Sequence, residues 1–150
     1  MHHRSFLVAN ATGAYILVEV SRVPFIPPAI PKLRASPPKG DEWLHEVKLD
    51  GFRVQLHKHG QAVTIYSKKG SDFTRRFPAI AAAVLGLPTR SCIIDGELIV
   101  PDATGEPDCR ALLHGRTRGA CVYCFDLMEL QGRDISEQPL VLRQAQSRRC

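Results

Sequence analysis

Apolar and polar positions alternate most regularly in Phe52-Arg53-Val54-Gln55-Leu56-His57, where every second side chain is apolar. That period belongs to a half-buried strand. A tight turn at His59-Gly60 returns the chain into Ala62-Val63-Thr64-Ile65-Tyr66, and the two runs predict an antiparallel hairpin. Pro78 at the head of residues 79–85, with Gly86 and Pro88 behind them, predicts a short helix. Cys92-Ile93-Ile94 and Leu98-Ile99-Val100 read as apolar strand runs on either side of Asp95-Gly96-Glu97. An acidic loop is predicted over 102–107, a short helix over 109–115, a strand over 122–127 and a helix over 140–149. Runs of strands with helices between them predict an α+β fold, mostly antiparallel sheets with short helices.

Upstream of this pattern the punctuation is proline. Pro24, Pro27, Pro28, Pro31, Pro37, Pro38 and Gly40 forbid a long helix and predict an extended lead-in that ends just before Trp43. Residues 1–24 are read as an N-terminal lead-in, and 25–150 as one unit on the strength of the resemblance given below. Phe6-Leu7-Val8-Ala9-Asn10-Ala11, behind Arg4, contains the A-x-A step of a leader, but its apolar core is too brief for one. No run reaches the roughly 18 apolar residues of a spanning helix. The expectation is a cytoplasmic protein with no membrane partner.

Composition narrows the class further. In 150 residues, 44% hydrophobic and 23% charged, disordered and collagen-like classes are excluded. The net charge of +5 arises from 20 basic and 15 acidic residues, and its location is informative. Residues 30–80 hold ten basic side chains and five acids, whereas the remainder is balanced at ten of each. A localised basic surface suits anionic partners such as nucleotides or nucleic acid; on charge alone, a solvated surface that aids solubility accounts for it more simply. The five cysteines, an odd number, argue against a disulfide framework. Cys121 and Cys124 have C-x-x-C spacing, but on a strand residues three apart face opposite ways. With no second ligand pair, a zinc site is not expected.

The densest cluster of reactive groups is Glu46-Val47-Lys48-Leu49-Asp50-Gly51-Phe52-Arg53. On extended chain Glu46, Lys48 and Asp50 share a face. Gly51 permits a turn or a close approach, and Arg53 points away from the Phe52/Val54/Leu56 face. Lysine attacks only when neutral, and its reference pKa near ~10.4 requires help that neighbouring carboxylates oppose. Read alone, the cluster also fits a strand-turn-strand with surface ion pairs. Lys68-Lys69-Gly70 places ammonium groups beside a glycine where a phosphate could approach. Glu97 reads as a carboxylate at a sheet end, suited to Mg²⁺ or a ribose hydroxyl, or as a solvated strand-end acid. Phe125 could stack on a base or fill the core.

The order of these motifs resembles a known family. Lys48-Leu49-Asp50-Gly51-Phe52-Arg53 is similar to the nucleotidyl-lysine motif of ATP-dependent DNA ligases and their covalent nucleotidyltransferase relatives. Ser67-Lys68-Lys69-Gly70-Ser71-Asp72-Phe73-Thr74 resembles the next ligase motif, and Ile94-Asp95-Gly96-Glu97 the third. Cys124-Phe125-Asp126-Leu127, continuing to Leu130-Gln131-Gly132-Arg133-Asp134, resembles the adjoining Phe-Asp-Leu motif. Arg76-Phe77-Pro78 and Pro107-Asp108-Cys109-Arg110-Ala111-Leu112 resemble bacterial ligases of the end-joining type. The likeness covers about residues 25–143.

The resemblance implies an ATP-grasp-like adenylation domain that binds ATP with Mg²⁺. Lys48 would attack the α-phosphate, expel pyrophosphate and keep AMP as a phosphoramidate, for transfer to a DNA 5′-phosphate and sealing by a 3′-hydroxyl. Glu46 would lie beside the adenine, and Arg53 would contact ribose or phosphate. Glu97 would contact ribose and the metal, Phe125 would stack on adenine, and Lys68 would face the nucleotide. The family usually has arginine where Lys68 stands, and ammonium lacks the guanidinium fork. Its later glutamate and lysine-pair motifs, and the oligonucleotide-binding domain that follows them, are not found. The expectation is thus an incomplete adenylation domain acting on nicked or broken DNA. Its partners would be end-joining proteins or a chain supplying the missing motifs. The alternatives are an RNA ligase or capping-type nucleotidyltransferase, and a non-catalytic remnant that binds nucleotide or DNA.

Overall fold

The computed structural model describes residues 5–9, 15–19, 24–30, 32–41 and 43–148. Arg4, Asn10 and Ala11 of the leader-like stretch, Pro31, the predicted helix end at Arg149, and Cys150 lie outside them. Strands β1 (Ser5–Ala9) and β2 (Tyr15–Glu19) form an antiparallel pair within the stretch read from sequence as an N-terminal lead-in, where no strand is expected. The main body is a five-stranded antiparallel sheet of order β4-β3-β5-β6-β7. Its strands are β3 (Phe52–His59), β4 (Ala62–Ser67), β5 (Ser91–Ile99), β6 (Cys121–Leu130) and β7 (Arg133–Asp134). Among the described residues no helix is long and apolar enough to cross a membrane.

One face of the sheet builds the core. Val54 and Leu56 of β3, Ile65 of β4, Cys92, Ile94 and Leu98 of β5 and Leu127 of β6 are all buried there. Helix α1 (Pro78–Leu85) covers them with Ile80 and Val84, and helix α2 (Cys109–Leu113) with Ala111 and Leu112. Pro78 at the first turn of α1 supplies the preset φ of a helix start. Asp108 caps α2 by accepting the Ala111 N–H at 3.0 Å. Arg76 joins the two helices: its guanidinium lies over the rings of Phe52, Phe73 and Phe77 and donates to the Leu112 carbonyl at 2.6 Å.

The alternation in β3 runs one step further than its apolar residues do. Lys58 continues the core phase and is 7% exposed. Its Nζ donates to the carbonyls of Leu85 and Leu87, each at 2.6 Å, so a buried cation satisfies the C-terminal end of α1. The turn after β3 sits at Gly60-Gln61, one residue beyond the expected His59-Gly60, with Gly60 at φ +57°.

Two further expectations are corrected. Asp95-Gly96-Glu97 does not separate two strands: β5 runs unbroken through it, so Glu97 lies within a strand, near the sheet end as expected but paired on both sides, with Arg53 and Tyr123. Gly96 makes this possible, because a Cβ there would stand 2.7 Å from the Tyr123 carbonyl oxygen and 2.7 Å from Val122 Cγ1. The first half of β6 is not a buried strand, since Tyr123 and Cys124 are exposed. A simple period of two would also send Val122 and Leu127 to opposite faces. The register slips between Asp95/Gly96 and between Ile93/Ile94, leaving Phe125 and Met128 as extra residues opposite β5. These two bulges reset the phase, so Val122, Leu127 and Leu130 all meet the core.

Candidate functional site

The face of the sheet away from the core carries the polar residues that strand register aligns. Arg53 and Gln55 of β3 stand opposite Glu97 and Asp95 of β5, and Asp126 of β6 stands opposite Asp95. Arg53 forks onto Asp95, with Nε to Oδ1 at 3.1 Å and Nη2 to Oδ2 at 2.9 Å. The Asp95 side chain is 3% exposed, so this pair is a fixed internal element rather than a surface contact. The hydrogen bond to Asp95 raises the pKa of Arg53 and keeps the guanidinium charged. Arg53 also lies over the Phe125 ring, 5.1 Å from its centroid, where the β6 bulge presents that ring.

Glu97 is half-buried and accepts the Gly51 N–H at 3.1 Å. Burial raises its pKa, while the Gly51 hydrogen bond and the nearby Arg53 and Lys48 charges pull it back down. Gly51 is required there: a Cβ would collide with the Leu98 carbonyl oxygen and come within 2.8 Å of Ile99 Cγ2. Glu97 thus ties the root of the lysine-bearing segment to the sheet.

That segment, residues 43–50, forms neither helix nor strand and is largely exposed. Lys48 is ion-paired with Asp50, and the side chains of the two are 84% and 73% exposed. The hydrogen bond from Lys48 to Asp50 raises the lysine pKa above its ordinary value, as the opposing carboxylates predict from sequence. Glu46 accepts from Gln144 Nε2 at 2.7 Å. Gln144 belongs to α3 (Leu140–Ser147), and its Nε2 also donates to the Phe125 carbonyl at 3.1 Å.

The structure therefore gathers Glu97, Arg53 and Phe125 at one end of the sheet, with Lys48 and Glu46 on the segment anchored beside them. Lys68 stands in the turn after β4. It is exposed and makes no hydrogen bond or ion pair among the described residues. Because Ser67 pairs with Val54, this turn lies at the same sheet end as Arg53. Among the described residues no group of three or more His, Cys, Asp or Glu side chains could hold a metal. A single carboxylate such as Glu97 suits Mg²⁺, which commonly takes one or two carboxylates and completes its shell with water and substrate phosphates.

Sequence reasoning overlooked Asp95, Gln55, Asp126 and the α3 residues. Asp95 had a readable signal, an acid inside an apolar strand that demands a partner. Gln55 is 2% exposed. Its amide accepts from the Ile26 N–H at 3.3 Å and donates to the Ile26 carbonyl at 2.5 Å, holding the proline-rich segment on the sheet. Arg53 adds a bond to the Ala29 carbonyl at 3.3 Å. Nothing local in the sequence marks those contacts.

A family model described as "ATP dependent DNA ligase domain" matches residues 33–147. The multifunctional non-homologous end joining protein LigD of Pseudomonas aeruginosa is 35% identical over 125 residues, covering 81% of this chain and 15% of the relative. A probable DNA ligase of Streptomyces coelicolor is 36% identical over 113 residues, covering 67% and 22% respectively. Among solved structures, the ligase domain from M. tuberculosis LigD superposes with a TM-score of 0.63 at 27% identity, over 69% of this chain and 35% of that one. A mycobacterial DNA ligase D complexed with ATP and MES superposes with a TM-score of 0.62 at 27% identity. The chain spans less than a quarter of either of these curated relatives.

Proposed function

Because the chain belongs to the ATP-dependent DNA ligase domain family, we propose that it carries the lysine-adenylation half of ATP-dependent strand joining. Residues 25–150 form the adenylating unit in this reading. Lys48 is the nucleophile: its Nζ lone pair forms a bond to the α-phosphorus of ATP, the bond to pyrophosphate breaks, and AMP remains as a phosphoramidate. Before attack Lys48 must leave Asp50 and lose a proton, which passes to water at this exposed position. AMP then moves to a DNA 5′-phosphate, and an adjoining 3′-hydroxyl displaces it.

The observation that carries the reading is the Arg53–Asp95 fork, set beside Glu97 at the root of the lysine segment. It fixes a guanidinium and a carboxylate without using the lysine. Such preorganised charge suits phosphoryl transfer, where positioning and charge neutralisation supply most of the rate. Arg53 would face ribose or phosphate, Phe125 would stack on the adenine, Glu46 would lie at the base edge and Lys68 would reach the nucleotide from its turn. Glu97 would contact ribose and hold Mg²⁺, which when bound neutralises phosphate charge. Nicked or broken DNA is the acceptor, in a cytoplasmic setting, with end-joining proteins or a chain bearing the remaining motifs as partners.

The test is incubation with Mg²⁺ and ATP labelled at the α-phosphate, followed by denaturation. Label on the wild type and none on Lys48→Ala supports adenylation. Label from GTP instead moves the assignment to capping-type enzymes. A folded wild type that takes no label leaves a nucleotide- or DNA-binding remnant.

A further inference from the structure

We infer that Gln144 is a positioning residue that ties Glu46 to the Phe125 wall of the nucleotide site and thereby sets affinity for ATP; this rests on the adenylation reading above. The carboxamide nitrogen of Gln144 has two hydrogens, and both are committed. One goes to Glu46 Oε1 at 2.7 Å and the other to the Phe125 carbonyl at 3.1 Å. These two residues, far apart in sequence, are the ones read as meeting the base edge and the base face. No other side-chain hydrogen bond from outside the segment reaches residues 43–50 among the described residues. Without Gln144, an exposed Glu46 on a segment outside any helix or strand has nothing to hold its rotamer.

The placement of α3 supports the same reading. The helix buries none of its residues fully, so apolar packing alone does not fix it. Polar bonds from Arg143 do. Its Nε and Nη2 fork onto Asp126 at 2.7 and 2.8 Å, and Nη1 donates to the Ser136 carbonyl at 2.9 Å and to that of Gln138. Asp126 follows Phe125 directly on β6, so the anchor sets α3 beside the bulge and aims the next residue, Gln144, at the site. Arg143 and Gln144 thus divide the work: the first holds the helix and the second holds the pocket.

The division is testable because the two roles move different quantities. The dissociation constant for ATP is measured by equilibrium dialysis without Mg²⁺, together with label uptake from ATP and the melting temperature. Gln144→Ala is expected to weaken ATP binding about three- to tenfold, the scale of one charge-assisted hydrogen bond at a partly exposed site, with labelling at saturating ATP unchanged. Gln144→Glu sets a like charge against Glu46 and should bind more weakly still. Gln144→Lys restores a donor and should recover most of the loss. Arg143→Ala should lower the melting temperature, whereas the Gln144 variants should not. Equal ATP affinity across the Gln144 series in a protein that takes label overturns the inference alone, as does a loss that follows melting temperature rather than side-chain charge. An ordered series in a protein that takes no label overturns adenylation alone. A wild type that does not bind ATP overturns both.

Discussion

The two halves of the site are built in opposite ways. On the sheet, Asp95 is 2% exposed, held by a forked guanidinium and flanked by strands on both sides. On the preceding segment, Lys48 has a largely exposed side chain and a single ion-pair partner two residues away. Fixed charges stabilise a developing charge best when they need no rearrangement, so in the proposed adenylation the sheet half gains from burial. In the same proposed reaction Lys48 must exchange a proton, and it gains from water. The segment is nevertheless not detached, since Glu97 and Gln144 pin it at Gly51 and Glu46. The contrast separates what should fail by chemistry from what should fail by unfolding.

The largest effect should come from the exposed half without any structural cost. Lys48→Ala is expected to abolish label from ATP while circular dichroism and melting stay unchanged. A mutant that still takes label would end the assignment of the nucleophile. Next is the buried half, where Asp95→Ala leaves Arg53 without its counter-charge beside Phe125. The expected loss is about 3 kcal/mol, the lower end for breaking a buried pair because Arg53 is partly exposed, read as a lower denaturant midpoint. Gly96→Ala should cost about 1–3 kcal/mol, since the new Cβ meets backbone of β6 that cannot yield without spoiling the bulge. An unchanged midpoint would show that the two strands can part more easily than their register suggests.

Smaller effects lie in the pH profile and the basic turn. Asp50 raises the pKa of Lys48, so the neutral amine and the adenylation rate should increase as pH rises through the alkaline range. Asp50→Asn removes the largest cause of that shift, and the rising limb should move to lower pH. An unmoved limb would show that proton loss from Lys48 does not limit the step. Lys68→Ala should leave stability within about 0.5 kcal/mol, because the side chain is exposed and unpaired among the described residues. Its effect on ATP affinity should be modest at low salt and fade as salt screens it.

Much of this was legible locally. The alternation of β3 and β4, the Pro78 start of α1 and the lysine-to-arginine run all depend on nearest neighbours, and period and turn chemistry report such features directly. The strand phase also put Arg53 correctly on the face opposite Val54 and Leu56. Three features were not legible, for one shared reason. That Asp95 is the partner of Arg53, that Lys58 closes the end of α1, and that β6 bulges at Phe125 and Met128 each depend on a strand or helix distant in sequence. Register between strands decides which side chains meet, and one extra residue reverses every face beyond it.

The sequence by itself determined the β3–β4 hairpin and the three helices, the chemistry available to the site and the family whose motifs it repeats. Only the tertiary structure decided which charges are paired and which remain free. The Asp-Gly-Glu motif shows this most plainly: one carboxylate is itself buried and spent on a partly exposed arginine, while the other, two residues along the same face, holds the lysine segment through one of its two oxygens. Alternation puts both acids on that face, but only pairing with β3 tells them apart, because burial and partners are properties of the assembled sheet rather than of the strand.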